Sequence, residues 1–268
     1  MPEGHVLHRL AHRLSGDFTG EPLIVESPQG RFDAGAKVLS GRQLVSARAH
    51  GKHLFLEFEE GAFVHIHLGL YGKWRFSAHE GEAPAPIGQV RLRLVSSGEV
   101  ADLSGPNRCA LVDEAEVDAV IARLGPDPLD PSAEAKAEFV RRVRARKRDI
   151  GELVMDQSVI AGPGNIYRAE GLFRVGISPF RKGQNTSEAR IGKLWDDLEV
   201  LMQDGVNTGI ITTVEDEDAP HPPLELDPEA SRFYVYHRTG RPCLRCGATV
   251  LEKLVAGRRL FWCPVCQR

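Results

Sequence analysis

The chain has 268 residues, of which 42% are hydrophobic and 26% are charged, a composition that is ordinary for a globular protein. This length suits one large domain or two to three small ones, and no apolar stretch in the sequence is long enough to span a membrane. The formal net charge of −3 argues mildly against nucleic-acid binding as a bulk property. The first residues are too polar for a secretion signal, so we expect a cytoplasmic protein.

The first part of the chain predicts a helix followed by a β domain. Residues 1–15 alternate apolar and basic side chains at helical spacing, which indicates a short N-terminal helix. From about residue 20 to residue 112, β-rich runs are separated by Gly, Ser or Asp turns. The runs used for this prediction are 43–48, 53–58, 62–67, 73–77 and 89–95. They predict an antiparallel sandwich or barrel-like domain.

A proline-rich segment then predicts a domain boundary. Residues 125–131 hold three prolines, which cannot continue a helix. Helical patterns follow at 132–147, 150–159, 166–175 and 187–207. Between two of them, Gly162-Pro163-Gly164 predicts a tight turn, with Asn165 as the N-cap of the next helix. The glycine backbone of such a turn can approach a phosphate closely.

The whole chain is therefore predicted to have an α+β fold with four segments. These are an N-terminal antiparallel β-sandwich at 1–124, a linker at 125–131, a helical domain at 132–230 and a small C-terminal module at 231–268, whose cysteine spacing is that of a zinc-ribbon finger. Residues 213–231, at the end of the helical domain, are acidic and carry four prolines, so we expect them to be mobile. No internal repeat or low-complexity tract is present.

Charge is unevenly distributed along the chain. Four acids are adjacent at 215–218, whereas bases gather at 141–148 and again from Arg232 to Arg268. A local basic surface can bind phosphates whatever the total charge. For residues 141–148 a solvated helix face is an equally good interpretation.

Four cysteines predict one structural zinc ion. Cys243, Cys246, Cys263 and Cys266 form two Cys-x-x-Cys pairs with sixteen residues between the pairs, the spacing of a closed four-thiolate site. A disulfide framework and a redox pair are the alternatives, which a cytosolic setting and the doubled motif disfavour. A module of about forty residues has too little core to fold alone, so the metal would supply its stability. The remaining Cys109 is expected to be a packed apolar residue.

The start of the chain offers a candidate nucleophile. If Met1 is removed, Pro2 becomes a secondary amine beside Glu3. A terminal amine has a pKa near about 8, so a useful fraction is neutral at physiological pH. Such an amine attacks a carbon such as sugar C1′ and leaves a Schiff base. Many chains begin Met-Pro without any catalytic reason, so this motif needs support from the rest of the sequence.

Four motifs, taken together, resemble the formamidopyrimidine-DNA glycosylase and endonuclease VIII family of DNA repair enzymes. They are Pro2-Glu3-Gly4, Gly51-Lys52-His53-Leu54, the stretch from Asp156 to Arg168, and the stretch from Val255 to Gln267. The third is similar to the family's helix–two-turn–helix element and the fourth to its zinc finger. Leu70-Tyr71-Gly72 and Tyr236-His237-Arg238 favour the endonuclease VIII branch.

The resemblance implies a bifunctional DNA glycosylase and AP lyase of base excision repair. Pro2 would attack C1′ of a damaged nucleotide, and Glu3 would act as general acid–base on the sugar. Lys52 is similar to the family lysine assigned as proton donor in β-elimination. Arg258 matches the finger arginine assigned to δ-elimination, where a guanidinium is better suited to stabilising the departing phosphate than to donating a proton.

The resemblance also implies DNA-binding residues, each with a plainer alternative. Asn165 would hold a phosphate near the lesion, or only cap a helix. Arg123 would contact DNA, or be a charged residue before the linker. Leu70 and Tyr71 would fill the gap left by a flipped base, or pack under their loop.

The sequence departs from the family pattern just after Pro2-Glu3 and just before Leu70-Tyr71. His5 and Val6 replace the usual Pro-Glu after the first three residues, and Gly69 stands where close relatives carry Gln. These changes affect the expected substrate range more than the reaction type.

We expect a monomer that binds damaged DNA and joins the nucleoid when it is bound. Double-stranded, single-stranded and bubble substrates are left open.

The preferred substrates are expected to be oxidised pyrimidines. Two alternatives stay open at this point. One is an oxidised-purine glycosylase of the formamidopyrimidine type, and the other is a non-catalytic protein that binds damaged DNA.

Overall fold

The computed structural model describes residues 2–220 and 231–268. The chain divides into two compact units, one ending at Arg123 and the other beginning at Leu124. No helix in these ranges is both long and apolar enough to cross a membrane. The expectations about Met1 removal and about mobility in residues 221–230 lie outside the described residues.

The first unit combines helices with short antiparallel strands. Its elements in chain order are α1 (Gly4–Phe18), β1 (Ile24–Glu26), α2 (Asp33–Leu39), β2 (Leu44–His50), β3 (His53–Phe58), β4 (Ala62–His67), β5 (Lys73–Ala78), β6 (Val90–Val95), β7 (Glu99–Ser104), β8 (Arg108–Val112) and α3 (Glu114–Ile121). The sequence-based list of strands omitted β1, β7 and β8.

These strands form two four-stranded sheets, ordered β1-β6-β7-β5 and β2-β3-β4-β8, with antiparallel pairing throughout. Alternate residues of each strand point to one shared core, represented by Leu54 and Leu56 from one sheet and Leu92 and Leu94 from the other. Helix α1 adds an apolar stripe to the same core, including Leu7. The predicted α+β fold with an N-terminal sandwich and helix is confirmed.

The second unit is helical and ends in a hairpin. Its elements are α4 (Ala133–Arg144), α5 (Ile150–Leu153), α6 (Asn165–Arg174), α7 (Glu188–Thr208), β9 (Leu251–Val255) and β10 (Arg258–Trp262). The prediction of a helix over 150–159 was wrong beyond Leu153. There Asp156 accepts hydrogen bonds from the backbone N–H (3.0 Å) and hydroxyl (2.7 Å) of Ser158, which stabilises a turn instead of a further helical turn.

The C-terminal module shares its core with α6. Ala169 and Phe173 of α6 are buried in one cluster with Tyr234, Phe261 and the zinc-ligand candidates Cys243 and Cys263. The proline-rich segment also packs into this unit, because Asp127 is 2% exposed and Gly125 donates its N–H to the carbonyl of Gln157 at 2.7 Å. A Cβ on Gly125 would lie 2.4 Å from the carbonyl carbon of Val159, so only glycine allows this approach.

Candidate active site

Pro2 and Glu3 lie directly before α1 in the first unit. Glu3 is the N-cap residue with an extended backbone (φ −114°), and its carbonyl accepts the N–H of Val6 at 3.0 Å. The helix is anchored by its buried apolar stripe, so the position of both residues is set by the core. Pro2 is half-buried and Glu3 is completely buried. The structure thus places a buried carboxyl directly beside Pro2.

His5, one of the departures from the family pattern, is buried in the first turn of α1. Burial, followed by smaller contributions from positive neighbours that include Arg9, lowers the pKa of His5 to about 4. At neutral pH this side chain is therefore an uncharged imidazole. Val6 stands at the position of the usual glutamate, so neither His5 nor Val6 brings the negative charge of that glutamate.

Lys52 lies in the two-residue turn between β2 and β3. His50 and His53 form the last pair of the ladder, and Gly51 takes the left-handed conformation (φ 57°) at the first turn position. Glycine at that position is typical of the tight hairpin turn that matches strand twist. Burial, followed by the charge of Lys52, lowers the pKa of His67.

Leu70 and Tyr71 protrude from the loop between β4 and β5, with 51% and 83% of their surfaces exposed. The loop is fixed by glycines on both sides. Gly69 has φ +66°, and a Cβ on Gly72 would lie 2.3 Å from the carbonyl oxygen of Leu68. The predicted alternative of packing under the loop is wrong, because both side chains are exposed. The left-handed backbone at Gly69 also explains why a glutamine would be strained there.

Arg123 follows α3 in the same unit and is exposed. Its backbone N–H closes the helix end on the carbonyl of Val120 at 3.3 Å. Its positive charge is one of the causes, after burial, that lower the pKa of His65. The guanidinium thus adds to the positive potential of the sheet β2-β3-β4-β8.

In the second unit, the tight turn before α6 is held by Gln157. Its side-chain oxygen accepts the N–H of Gly162 at 3.0 Å, and its amide donates to the carbonyls of Met155 and Pro163, both at 3.1 Å. This residue was part of the recognised motif, but no role was predicted for it. It fixes the backbone whose N–H groups begin α6.

The prediction that Asn165 is a helix N-cap was wrong. Gly164 is the N-cap, and Asn165 is the first helical residue. Its side chain is buried and makes long-range contacts instead, donating to the carbonyl of Arg259 at 3.0 Å and accepting a hydrogen bond from Arg168. Arg168 also donates to the carbonyl of Arg259 at 3.0 Å. The structure therefore joins the turn before α6 to the finger hairpin.

Three arginines of the basic run at 141–148 make hydrogen bonds or ion pairs within the second unit. Arg142 donates to the carbonyls of Leu124 (3.0 Å) and Ser158 (2.7 Å), and Arg148 pairs with Glu152 and Asp156. Arg144 donates to two further backbone carbonyls. Arg142, Arg144 and Arg148 thus tie this part of the chain to the segments around it. Arg141, Arg144, Lys147 and Arg148 are nevertheless exposed to solvent.

The four finger cysteines converge as their spacing predicted. Their sulfur atoms all lie within 4.8 Å of one another, with 3.8 Å between Cys243 and Cys266 and 3.5 Å between Cys246 and Cys263. A tetrahedral zinc site with bonds of about 2.3 Å has sulfur–sulfur edges of about 3.8 Å. The residues therefore fit one four-coordinate metal ion with no position left for a substrate. Among the described residues, this is the one group with metal-binding geometry.

Arg258 lies at the tip of the finger, at the start of β10. The hairpin turns through Ala256 and Gly257, which both have positive φ values (47° and 73°), as a tight turn of this type requires. Arg258 is exposed, while the next residue, Arg259, pairs with Glu252. The turn thus presents the Arg258 side chain at the exposed end of the finger.

Glu170 is a structural residue that the sequence analysis missed. It is fully buried in α6 and accepts the backbone N–H groups of Tyr234 (2.8 Å), Val235 (2.9 Å) and Tyr236 (2.8 Å), together with the hydroxyl of Thr213. The stretch 167–173 also contains Arg168, so no clear signal in the sequence indicated that Glu170 is buried. Burial raises the pKa of this carboxyl, and the four donors oppose that shift.

Two acids of the run at 215–218 also accept hydrogen bonds from side chains of the second unit. Arg245, between the first two cysteines, donates to Glu215 at 2.8 Å and to Asp218 at 2.9 Å. The hydroxyl of Tyr234 donates to Asp218 at 2.7 Å. These acids therefore hold the turn between Cys243 and Cys246 against residues 215–218 of the same unit.

The candidate residues divide between the units. The first unit carries Pro2, Glu3, Lys52, Leu70, Tyr71 and Arg123, and the second carries Asn165, Arg258, Cys243, Cys246, Cys263 and Cys266. Within the second unit, the structure brings Asn165 and the finger hairpin together.

Comparison with known proteins agrees with this arrangement. The family model for the formamidopyrimidine-DNA glycosylase N-terminal domain matches residues 1–110, and the one for the H2TH domain of the same glycosylase matches residues 124–216. Endonuclease 8 1 of Mycobacterium tuberculosis is 48% identical over the full length of both chains. A formamidopyrimidine-DNA glycosylase of Desulfitobacterium hafniense is 33% identical over 97% of this chain and 94% of its own.

Solved structures show the same architecture. The crystal structure of the MutM (Fpg) protein from Thermus thermophilus has a TM-score of 0.78 at 30% identity and covers 99% of this chain and 98% of its own. The similarity thus includes the sandwich, the helical part and the finger. The chain belongs to the endonuclease VIII and formamidopyrimidine-DNA glycosylase family, the DNA glycosylases and AP lyases of base excision repair.

Proposed function

We propose that this protein removes oxidised bases, mainly pyrimidines, from DNA and then cuts the strand at the abasic site. The relative with 48% identity is an endonuclease 8, which supports the pyrimidine preference over the purine one. DNA is the partner that the family implies. The observation that carries the proposal is the completely buried Glu3 beside Pro2 at the start of α1.

The reaction would begin at the secondary amine of Pro2. The nitrogen attacks C1′ of the damaged nucleotide, the glycosidic bond breaks and the base leaves with a proton. Glu3 is placed to pass protons to and from the sugar ring, since burial keeps its carboxyl away from competing water. Protonation of O4′ then lets the C1′–O4′ bond break, which opens the sugar ring and leaves an iminium between Pro2 and C1′. The iminium acidifies the C2′ proton, so the 3′ phosphate leaves by β-elimination and the 5′ phosphate by δ-elimination.

Other residues of the two units would support these steps. Lys52 would donate the proton in β-elimination, and Arg258 would stabilise the negative charge of the departing phosphate. Leu70 and Tyr71, exposed on their loop, would fill the space that the flipped base leaves. Because the Asn165 side chain is committed to Arg168 and Arg259, we assign phosphate binding to backbone N–H groups at the start of α6.

We further propose that the four-cysteine site holds one zinc ion. When bound, zinc would supply structure only, because four thiolates fill its coordination sphere. Cys243 and Cys263 would connect the ion to the buried cluster with Phe173. Cys263 is held further by its backbone N–H, which donates to Gln267 at 2.8 Å.

A lesion panel tests the substrate assignment. The protein is incubated with three kinds of duplex, which carry thymine glycol, dihydrouracil, or 8-oxoguanine paired with cytosine. Base release and strand cleavage are scored separately. We expect the two pyrimidine lesions to be processed at least tenfold faster. Faster 8-oxoguanine release would favour the oxidised-purine alternative, and tight binding without release of any base would favour a non-catalytic damage-binding protein.

A further inference from the structure

Arg245 lies inside the first Cys-x-x-Cys turn, and two acids and two aromatic rings surround its guanidinium group. It donates to Glu215 at 2.8 Å and to Asp218 at 2.9 Å. The guanidinium carbon lies 4.6 Å from the ring centroid of Tyr234 and 5.4 Å from that of Phe173. The Arg245 side chain is 30% exposed. It is therefore held mainly by residues that lie outside its own turn.

The backbone of Arg245 faces a candidate metal ligand. The sulfur of Cys243 accepts hydrogen bonds from the backbone N–H groups of Cys246 and Arg245. The turn is closed by the N–H of Gly247, which donates to the carbonyl of Cys243 at 2.9 Å, and by the N–H of Cys243, which donates to the carbonyl of Ala248 at 2.8 Å. Hydrogen bonds to a ligand atom from outside the metal site fix the orientation of that ligand. One residue thus has its backbone against a sulfur atom and its side chain against two acids.

The acids belong to a segment with its own anchor on the helices. We call residues 213–218 the acidic strap. Arg174 of α6 donates to the carbonyl of Thr213 at 2.6 Å. It also pairs with Glu215 at 3.2 Å and with Asp197 of α7 at 2.8 Å. The strap is therefore held by α6 and α7 through contacts that do not involve Arg245.

The hydroxyl of Tyr234 joins the strap to the metal-binding turn a second time. It accepts the backbone N–H of Glu215 at 3.1 Å and donates to Asp218 at 2.7 Å. The guanidinium of Arg245 donates to the same hydroxyl at 3.2 Å. The two carboxylates are thus held at a spacing that fits the two donor groups of Arg245.

Ionised groups of alternating sign lead from α7 to the metal-binding turn. Their order is Asp197, Arg174, Glu215, Arg245, Asp218. Removal of the last two carboxylates would leave the guanidinium without its charged acceptors and with more rotamer freedom. The backbone N–H that faces Cys243 would then be held less firmly, because it belongs to the same residue.

We propose that Arg245 is a positioning residue of the metal site, and that the acidic strap acts through it to slow the loss of zinc. This inference rests on the proposal that the four cysteines hold one zinc ion. Loss of the ion requires the turn between Cys243 and Cys246 to open, and opening must also break the contacts of Arg245 with the strap. Groups that orient metal ligands from outside contribute about 10–100-fold to metal affinity. The acidic strap, far from the cysteines in sequence, is thus part of the zinc site.

Zinc release from the zinc-loaded full chain tests this role. An excess of the chromogenic chelator 4-(2-pyridylazo)resorcinol captures the zinc at neutral pH, and the release rate is read from absorbance. The double variant Glu215→Gln/Asp218→Asn keeps the size of both side chains, removes both charges and leaves the finger sequence intact. We expect it to release zinc about tenfold faster than the wild type or faster still.

Two further variants assign the effect to Arg245. Arg245→Gln removes the guanidinium and should release zinc at least as fast as the double variant. Arg245→Lys keeps the charge, but its compact ammonium cannot span both acids as a guanidinium does, so its rate should lie between those of the wild type and Arg245→Gln. The matched control is Glu252→Gln, which removes another ion pair of the finger, with Arg259. It should change the release rate by less than about twofold.

Ionic strength separates this positioning role from a general loss of stability. An increase from about 0.05 M to about 1 M KCl shortens the Debye length from more than about 10 Å to about 3 Å. Zinc release from the wild type should therefore become faster, while release from the double variant should hardly change. A variant that was only less stable would keep the salt dependence of the wild type.

Two results would overturn the inference. One is a release rate of the double variant within about twofold of the wild-type rate, and the other is the same salt dependence in both. If the double variant misfolds, Arg245→Lys and the salt dependence of the wild type decide, and unchanged release in both contradicts the inference. Metal analysis separates the two proposals. A purified wild type that binds no zinc contradicts the zinc site itself, whereas equal retention of zinc by all variants contradicts only the role of Arg245 and the strap.

Discussion

Glu170 gives the sharpest test of how the second unit is held together. Its buried carboxylate accepts three backbone N–H groups of residues 234–236 and the hydroxyl of Thr213. In Glu170→Gln, one oxygen remains to serve Val235 and Tyr236, whereas the new NH₂ group faces the N–H of Tyr234. That N–H loses its acceptor, at a cost of about 1–3 kcal/mol, and the two remaining bonds lose charge assistance at about 1 kcal/mol each.

Relief of the buried charge offsets part of this loss, so we expect a decrease of about 2–4 kcal/mol in the free energy of unfolding of the second unit. Urea unfolding of the zinc-loaded protein in a Trp74→Phe background measures it, because the remaining tryptophans, Trp195 and Trp262, both belong to that unit. The matched control is Asp196→Asn, which breaks an exposed 2.7 Å ion pair with Lys136 and should cost less than about 1 kcal/mol. Equal effects of the two substitutions would refute the reasoning.

The remaining predictions concern the metal, the loop and the histidines. Chelation of zinc should unfold the cluster around the four cysteines and abolish DNA cleavage, and addition of zinc should restore both. Unchanged tryptophan fluorescence after verified metal loss would contradict this prediction. Changing both Leu70 and Tyr71 to Ala should alter unfolding free energy by less than about 0.5 kcal/mol, because both are exposed, while lesion excision falls at least tenfold; wild-type excision would remove them from the mechanism. Since the pKa values of His53 and His65 are lowered in the folded state, to about 3 and about 4, the unfolded chain binds more protons below about pH 6.5. Stability should therefore fall as pH drops from 6.5 toward 4, and His53→Asn should weaken that fall, as acid titration followed by circular dichroism can show.

Local sequence signals predicted the features that depend on neighbouring residues. The cysteine spacing predicted the convergence of four sulfur atoms, because each pair closes its own short turn. The β-rich runs between turn residues predicted β3 and β4 of the sandwich. The three-residue β1 was missed, since it is too short for any periodic pattern and is a strand only through its pairing with β6.

Features that depend on distant partners could not be predicted. Asn165 looked like a helix cap because asparagine is favoured there, but the carbonyl of Arg259, far along the chain, takes its amide. The basic run was ambiguous for the same reason. Arg142 binds the carbonyls of Leu124 and Ser158, and nothing in its own segment indicates those acceptors.

The nucleophile is the central claim, and peptide mapping of a trapped adduct tests it most directly. The protein is incubated with an abasic-site duplex and sodium borohydride, which reduces a Schiff base to a stable amine, and the adduct is digested with trypsin and nuclease for mass spectrometry. The account predicts that the sugar remnant is attached to Pro2, on the peptide of residues 2–9, and that Pro2→Gly loses most of the adduct. A remnant on Lys52, or undiminished trapping by an N-terminally blocked protein that retains Met1, would contradict it.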